Sequence, residues 1–184
     1  MASLELNFGP GSLLLWSWLY YLGGGAALTA AFTAMLVHEL GHLFVLSLYG
    51  ADLRKVRLTA AGPVLHYIGP LPPGREALVT AAGPFFGLLF TAAAFLSDTP
   101  YFRYAGLVSV LCSLFNLLPA YPMDGGRLAL LFLEASLPLQ AALICTRVLG
   151  ALTGAATVSM GIVWRSPVVA AAGIFMVANA IKMR

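Results

Sequence analysis

Ala34-Met35-Leu36-Val37-His38-Glu39-Leu40-Gly41-His42-Leu43-Phe44-Val45-Leu46 sets an H-E-x-x-H motif inside a long apolar run. On a helix, His38 and His42 lie one turn apart on a shared face, so their ring nitrogens can converge on one metal ion. Glu39 stands beside them on the same turn, where it can act as a general base on metal-bound water. Leucine, phenylalanine and valine surround these three ionisable side chains. Such groups are costly and rare within a membrane span. A Zn2+ ion would offset their burial, because neutral imidazole and carboxylate are among its usual partners. A chance grouping on an ordinary helix is the competing reading, and the apolar setting weighs against it.

Working outward, 60% of the 184 residues are hydrophobic and 9% are charged, and the mean hydropathy is +0.90. A soluble domain carries about 25% charged residues. This composition could not cover a surface in water and predicts a polytopic α-helical membrane protein. The pI near 9.1 rests on a surplus of three positive charges, too few to point to nucleic acid. Cys112 and Cys145 both lie in apolar runs without metal-ligand spacing and read as small core residues. The acidic start, with Glu5 and no basic stretch, lacks the look of a cleavable signal peptide.

Residues 2–8 alternate as a short strand would, and Gly9-Pro10-Gly11 breaks the pattern. Residues 12–22 form a short apolar helix, followed by Gly23-Gly24-Gly25. Residues 26–49 make a full span of about 36 Å, which carries the motif and stops at Gly50. Residues 51–76 are the most polar part, with strands over 53–58 and 64–68 turning at Gly62-Pro63. Further spans follow over 77–97, 103–118, 138–163 and 167–182, with a short helix over 127–135. The expected architecture is thus about six transmembrane helices with a short β-hairpin at one membrane face, in a single domain over 1–184 without an appended regulatory domain.

With six spans, Arg54, Lys55, Arg57, Arg75, Arg127, Lys182 and Arg184 share one side, and Arg103 and Arg165 the other. The positive-inside rule places the first group, and the hairpin, in the cytoplasm. If 12–22 lies only at the interface, the count is five and the N-terminus moves outside. A catalytic zinc needs a third protein ligand beside an open position. Asp52, Asp98, Asp124, Glu76, Glu134, His66 and the two cysteines are the candidates. Asp124 leads, because its preceding span runs in the motif span's direction and unwinds at Pro119 and Pro122. That keeps Asp124 near the depth of His38, where irregular backbone is tolerated if it lines a wet cavity. A cytoplasmic turn with a helix N-cap fits the local sequence about as well.

His38-Glu39-Leu40-Gly41-His42, with Asn116-Leu117-Leu118-Pro119-Ala120-Tyr121-Pro122-Met123-Asp124-Gly125-Gly126-Arg127, resembles the site-2 protease family of intramembrane zinc metalloproteases. The layout looks most like the branch containing stage IV sporulation protein FB. The resemblance implies a zinc peptidase with one Zn2+ per chain, held by His38, His42 and Asp124. Glu39 would be the base, and Asn116 would contact substrate or the reacting carbonyl. It implies a multi-pass protein of a prokaryotic cell membrane, with the active site opening towards the cytoplasm. The substrate would be a membrane-anchored protein, such as a transcription-factor precursor or an anti-sigma factor. The sequence departs from the family in the apolar Phe85-Phe86-Gly87 after Ala82-Gly83-Pro84, where relatives often carry a polar residue. Two rivals are a cation transporter using the same cluster and a proteolytically inactive relative. Against the first, no paired broken helices or internal repeat are visible.

Three other features stand out. His66 reads as a hairpin or cavity residue before a ligand. Arg147 is a charge inside a span, and pairing with Glu134 or snorkelling along its stem explains it equally well. Gly23 to Gly25 and Gly41 read as packing or bending positions.

Overall fold

The computed structural model describes residues 10–50, 53–59, 62–67 and 71–183, with side chains described for 20–21, 23–50 and 71–183. The elements are α1 (Pro10–Leu48), β1 (Leu53–Thr59), β2 (Gly62–Tyr67), α2 (Pro73–Phe95), α3 (Pro100–Asn116), α4 (Asp124–Glu134), α5 (Leu139–Val163) and α6 (Pro167–Lys182). They fall into two compact units, residues 1–113 and 114–184.

In the first unit, α1 is turned inside out compared with a helix of a water-soluble protein. Ala30, Ala34, His38, His42 and Leu46, spaced four apart, are buried, while Phe32, Leu36, Leu40, Phe44 and Leu48 are exposed. Small and polar residues face the protein, and large apolar ones face outward, as hydrocarbon surroundings allow. α2 packs on α1 through small residues: a Cβ at Gly41 would sit 2.7 Å from the Ala82 carbonyl oxygen and 2.9 Å from Phe86 Cβ. α2 and α3 are joined by hydroxyls. Ser109 donates to the Gly87 carbonyl at 2.9 Å, and Thr91 reaches the carbonyls of Gly87 (2.9 Å) and Gly106 (3.1 Å). β1 and β2 pair antiparallel, with Lys55 opposite His66 and Arg57 opposite Val64.

The second unit is built around the irregular segment 117–123. Ala120, Met123 and Met176 form its buried cluster, with Leu118 packed against them. The segment folds back over the start of α4 so closely that a Cβ on Gly125 would strike the Leu117 carbonyl. One on Gly126 would meet Ala120 C and Tyr121 N at 2.5 Å. Gly150 of α5 leaves room for Ala120, since a Cβ there would lie 3.5 Å from Ala120 Cα. A Cβ on Gly154 would lie 2.8 Å from the Gly173 carbonyl oxygen of α6. Gly154 and Gly161 thus bring α5 into backbone contact with Gly173 and Ala170 of α6, the small-residue packing typical of membrane helices.

As expected, α1 is two helices that meet in the glycine run, at a kink at Gly24 (φ 63°, ψ −159°), a backbone state that glycine adopts without penalty. Two boundaries differ from expectation. α2 starts at Pro73 instead of residue 77, because a proline in the first turn lacks only an amide that would have no partner there. Asp124 begins α4 rather than preceding it, and Met123 is the N-cap. The strand expected over 2–8 lies outside the described residues. Among the described residues, three helices are long and apolar enough to cross a membrane: Gly23–Leu48, Pro73–Phe95 and Leu139–Val163. The shorter α6 is also apolar, and α3 has 17 residues.

Candidate metal centre

The helix spacing places His38 and His42 on the buried face of α1, at 6% and 9% exposure. Their Nε2 atoms lie 3.1 Å apart, with the rings edge to face. His42 Nδ1 lies 2.7 Å from the buried carbonyl oxygen of Val79 on α2. Since a carbonyl only accepts, Nδ1 is the donor, and in the neutral ring Nε2 carries the lone pair. Such a bond from the far ring nitrogen is the usual way a metal-binding histidine is oriented.

One turn after Val79, Gly83 presents bare backbone to both rings. A Cβ there would strike His42 Nε2 and lie 2.8 Å from His38 Nε2. The notch therefore sits at the two nitrogens a metal would use. Two imidazoles on a tetrahedral zinc are about 3.4 Å apart at ordinary Zn–N lengths, and the observed spacing is within a few tenths of that. The residues fit zinc.

Glu39, beside His38, is half-buried. In the second unit, Asn116 is the last residue of α3 and Asp124 the first of α4, both half-buried. An acidic residue in the first turn is favoured by the helix dipole. Of the other ligand candidates, Asp98 is exposed and paired with Arg103 at 3.2 Å, and Glu134 is exposed. Cys112 and Cys145 are free thiols, the second exposed. Asp52 lies outside the described residues, and β2 carries His66 opposite Lys55.

Sequence reading did not find Gly83 or the Val79 carbonyl. The signal for Gly83 was present as glycines four apart, Gly83 and Gly87, within an apolar span. A backbone carbonyl leaves no trace in residue type.

The family model for peptidase family M50 matches residues 93–156, which include Asn116 and Asp124. A zinc metalloprotease of Methanocaldococcus jannaschii is 32% identical over 106 residues, covering 53% of this chain and 31% of that protein. A Mycobacterium tuberculosis protein, provisionally named zinc metalloprotease Rip3, is 33% identical over 129 residues, covering 63% of this chain and 32% of that protein. The chain therefore spans about a third of the length of these relatives. Its fold is similar to that of the site-2 protease from Methanocaldococcus jannaschii, with a TM-score of 0.76 at 20% identity over 100% of this chain and 92% of that one. Residues 93–156 are thus similar to peptidase family M50, and the fold of the whole chain is similar to that of a solved site-2 protease.

Proposed function

We propose that this chain is an intramembrane zinc metalloprotease, hydrolysing peptide bonds within or next to the transmembrane segments of membrane-anchored proteins. The carrying observation is the pair of Nε2 atoms turned onto the bare backbone of Gly83, with Glu39 next in sequence. Relatives that bear the name zinc metalloprotease support it. Asp124 is the proposed third ligand. Two imidazoles and a carboxylate are a usual catalytic zinc set, and the resemblance of the segment 116–127 supplies Asp124 as the carboxylate. Both units then serve one peptidase domain.

Bound zinc supplies Lewis acidity, which acidifies water and polarises a carbonyl. The chain does the rest. His42 is held in the required tautomer by donating from Nδ1 to Val79. Glu39 accepts the proton of the attacking water and returns it to the leaving amine. The Asn116 side-chain amide donates to the substrate backbone or the reacting carbonyl oxygen. A substrate helix has its backbone groups bonded internally, so it unwinds before attack, and an edge of the β1–β2 pair offers strand addition to the unwound segment. A membrane-tethered transcription-factor precursor or anti-sigma factor is the proposed kind of substrate.

The test is co-expression with a library of single-span proteins, comparing the intact chain with Glu39→Gln. Fragments are expected only with the intact chain, while the purified variant keeps about one zinc per chain, since the base is not a ligand. Equal cleavage by Glu39→Gln removes Glu39 from the mechanism, and no fragment from any partner with the zinc-loaded intact chain overturns the peptidase reading.

The proposed topology has six crossings of a prokaryotic cell membrane, with the hairpin and the entrance to the site cytoplasmic. It rests on the seven-to-two division of basic residues. A cysteine at exposed Pro73, with Cys112 and Cys145 replaced, is expected to resist membrane-impermeant thiol reagents in intact cells and to label in inside-out vesicles. Labelling of intact cells inverts the orientation.

A further inference from the structure

Arg147 is the only charged residue of α5. It lies eight residues after Leu139, about 12 Å along the helix axis. On one side of it are the buried Thr146 and Gly150. On the other, Ile144, Val148 and Leu152, spaced four apart, form an outward ridge at 57%, 52% and 63% exposure. Its Nε is buried without a hydrogen-bond partner. Among the described residues no carboxylate pairs with Arg147, so the ion pair with Glu134 is not formed.

A guanidinium in an apolar span, with part of its donor set buried, is costly until an anion meets it. The described residues supply none, so the counter-charge comes from outside them. Arg147 stands where the protein seam meets the lipid-facing ridge. Guanidinium is suited to bidentate phosphate recognition, and snorkelling with local thinning of the bilayer brings an intramembrane arginine to headgroup level.

We propose that Arg147 is a phospholipid site: its guanidinium holds the phosphate diester of a boundary lipid, whose acyl chain lies along Ile144, Val148 and Leu152. This rests on α5 spanning a bilayer and is independent of the peptidase reading.

The test uses the whole chain in detergent, with three probes: phosphatidylglycerol, a glycosyl diacylglycerol with the same acyl chains, and inorganic phosphate. Thermal midpoints and lipid adducts in native mass spectrometry are the readouts. Phosphatidylglycerol is expected to remain bound and raise the midpoint, and the other two are not. Arg147→Gln should weaken lipid retention about tenfold, the loss of a charge-assisted hydrogen bond, and Arg147→Lys should keep part of it as a point charge. Arg165→Gln at the α5–α6 turn is the control and should retain the lipid fully. Equal stabilisation by the glycolipid reduces the site to acyl-chain packing and overturns the proposal. So does a matching effect of inorganic phosphate, or an unchanged adduct in Arg147→Gln. If that variant does not fold, the two lipids on the unaltered chain still decide. Stabilisation of lipid-free protein by a short acidic peptide, with none from phosphatidylglycerol, assigns the guanidinium to a peptide carboxylate and overturns it as well.

Discussion

Purified Gly83→Ala is expected to hold less than about a tenth of the zinc of the unaltered chain and to cleave at least about 100-fold more slowly, since displacing reacting groups by about 1 Å costs that much. The added methyl meets both ligand nitrogens at once. His42 cannot swing clear without losing its bond to Val79, and the helices cannot separate freely where Gly41 lies against Ala82. Gly74→Ala is the matched control. Its Cβ meets nothing within 4 Å, so zinc content and activity should be unchanged. Elemental analysis with a cleavage assay reads both. Full zinc in Gly83→Ala would show that the notch is not where metal sits.

Asp124→Asn separates a ligand from a turn residue. At the first position of α4, loss of the carboxylate charge costs about 0.3–1 kcal/mol through the helix dipole, so the variant should fold and insert. Loss of an anionic ligand is far larger in its effect. Zinc affinity should fall by more than the roughly 100-fold that removal of an outer partner of a metal ligand produces, with cleavage falling alongside it. Asp124→Glu should recover part of the binding with little of the rate, because its longer arm moves the metal. Near-silence of Asp124→Asn in both assays would send the search for the third ligand to His66.

The parts legible in the sequence were those written in residue type and spacing. The four-residue interval fixed His38 and His42 on one face, and the apolar runs read as spans over 138–163 and 167–182 coincide with α5 and α6. The rest depended on which backbone comes near which. Val79 offers its carbonyl, not its side chain, to His42, and no periodicity records that. Gly83 read only as part of the span over 77–97, when its role is to leave space beside two rings on another helix. The glycine run at 23–25 was readable as a junction between two helices, and the kink falls on its middle residue, Gly24. Gly125 and Gly126 looked like loop residues, and they are the contact surface for segment 117–121.

The inverted face of α1 has a thermodynamic consequence. The large heat-capacity increment of unfolding, about 12–15 cal/mol/K per residue in soluble domains, comes from apolar surface newly meeting water. Along α1 the bulky residues Phe32, Leu36, Leu40, Phe44 and Leu48 already face outward, against hydrocarbon in the native state. The inward face is largely alanine, glycine and histidine. Unfolding within a micelle therefore transfers little oil to water along this helix. Enthalpy and entropy of unfolding then change little with temperature, and the curve of stability against temperature is close to a straight line instead of a dome. Cooling does not weaken such a structure as it weakens one held together by the hydrophobic effect.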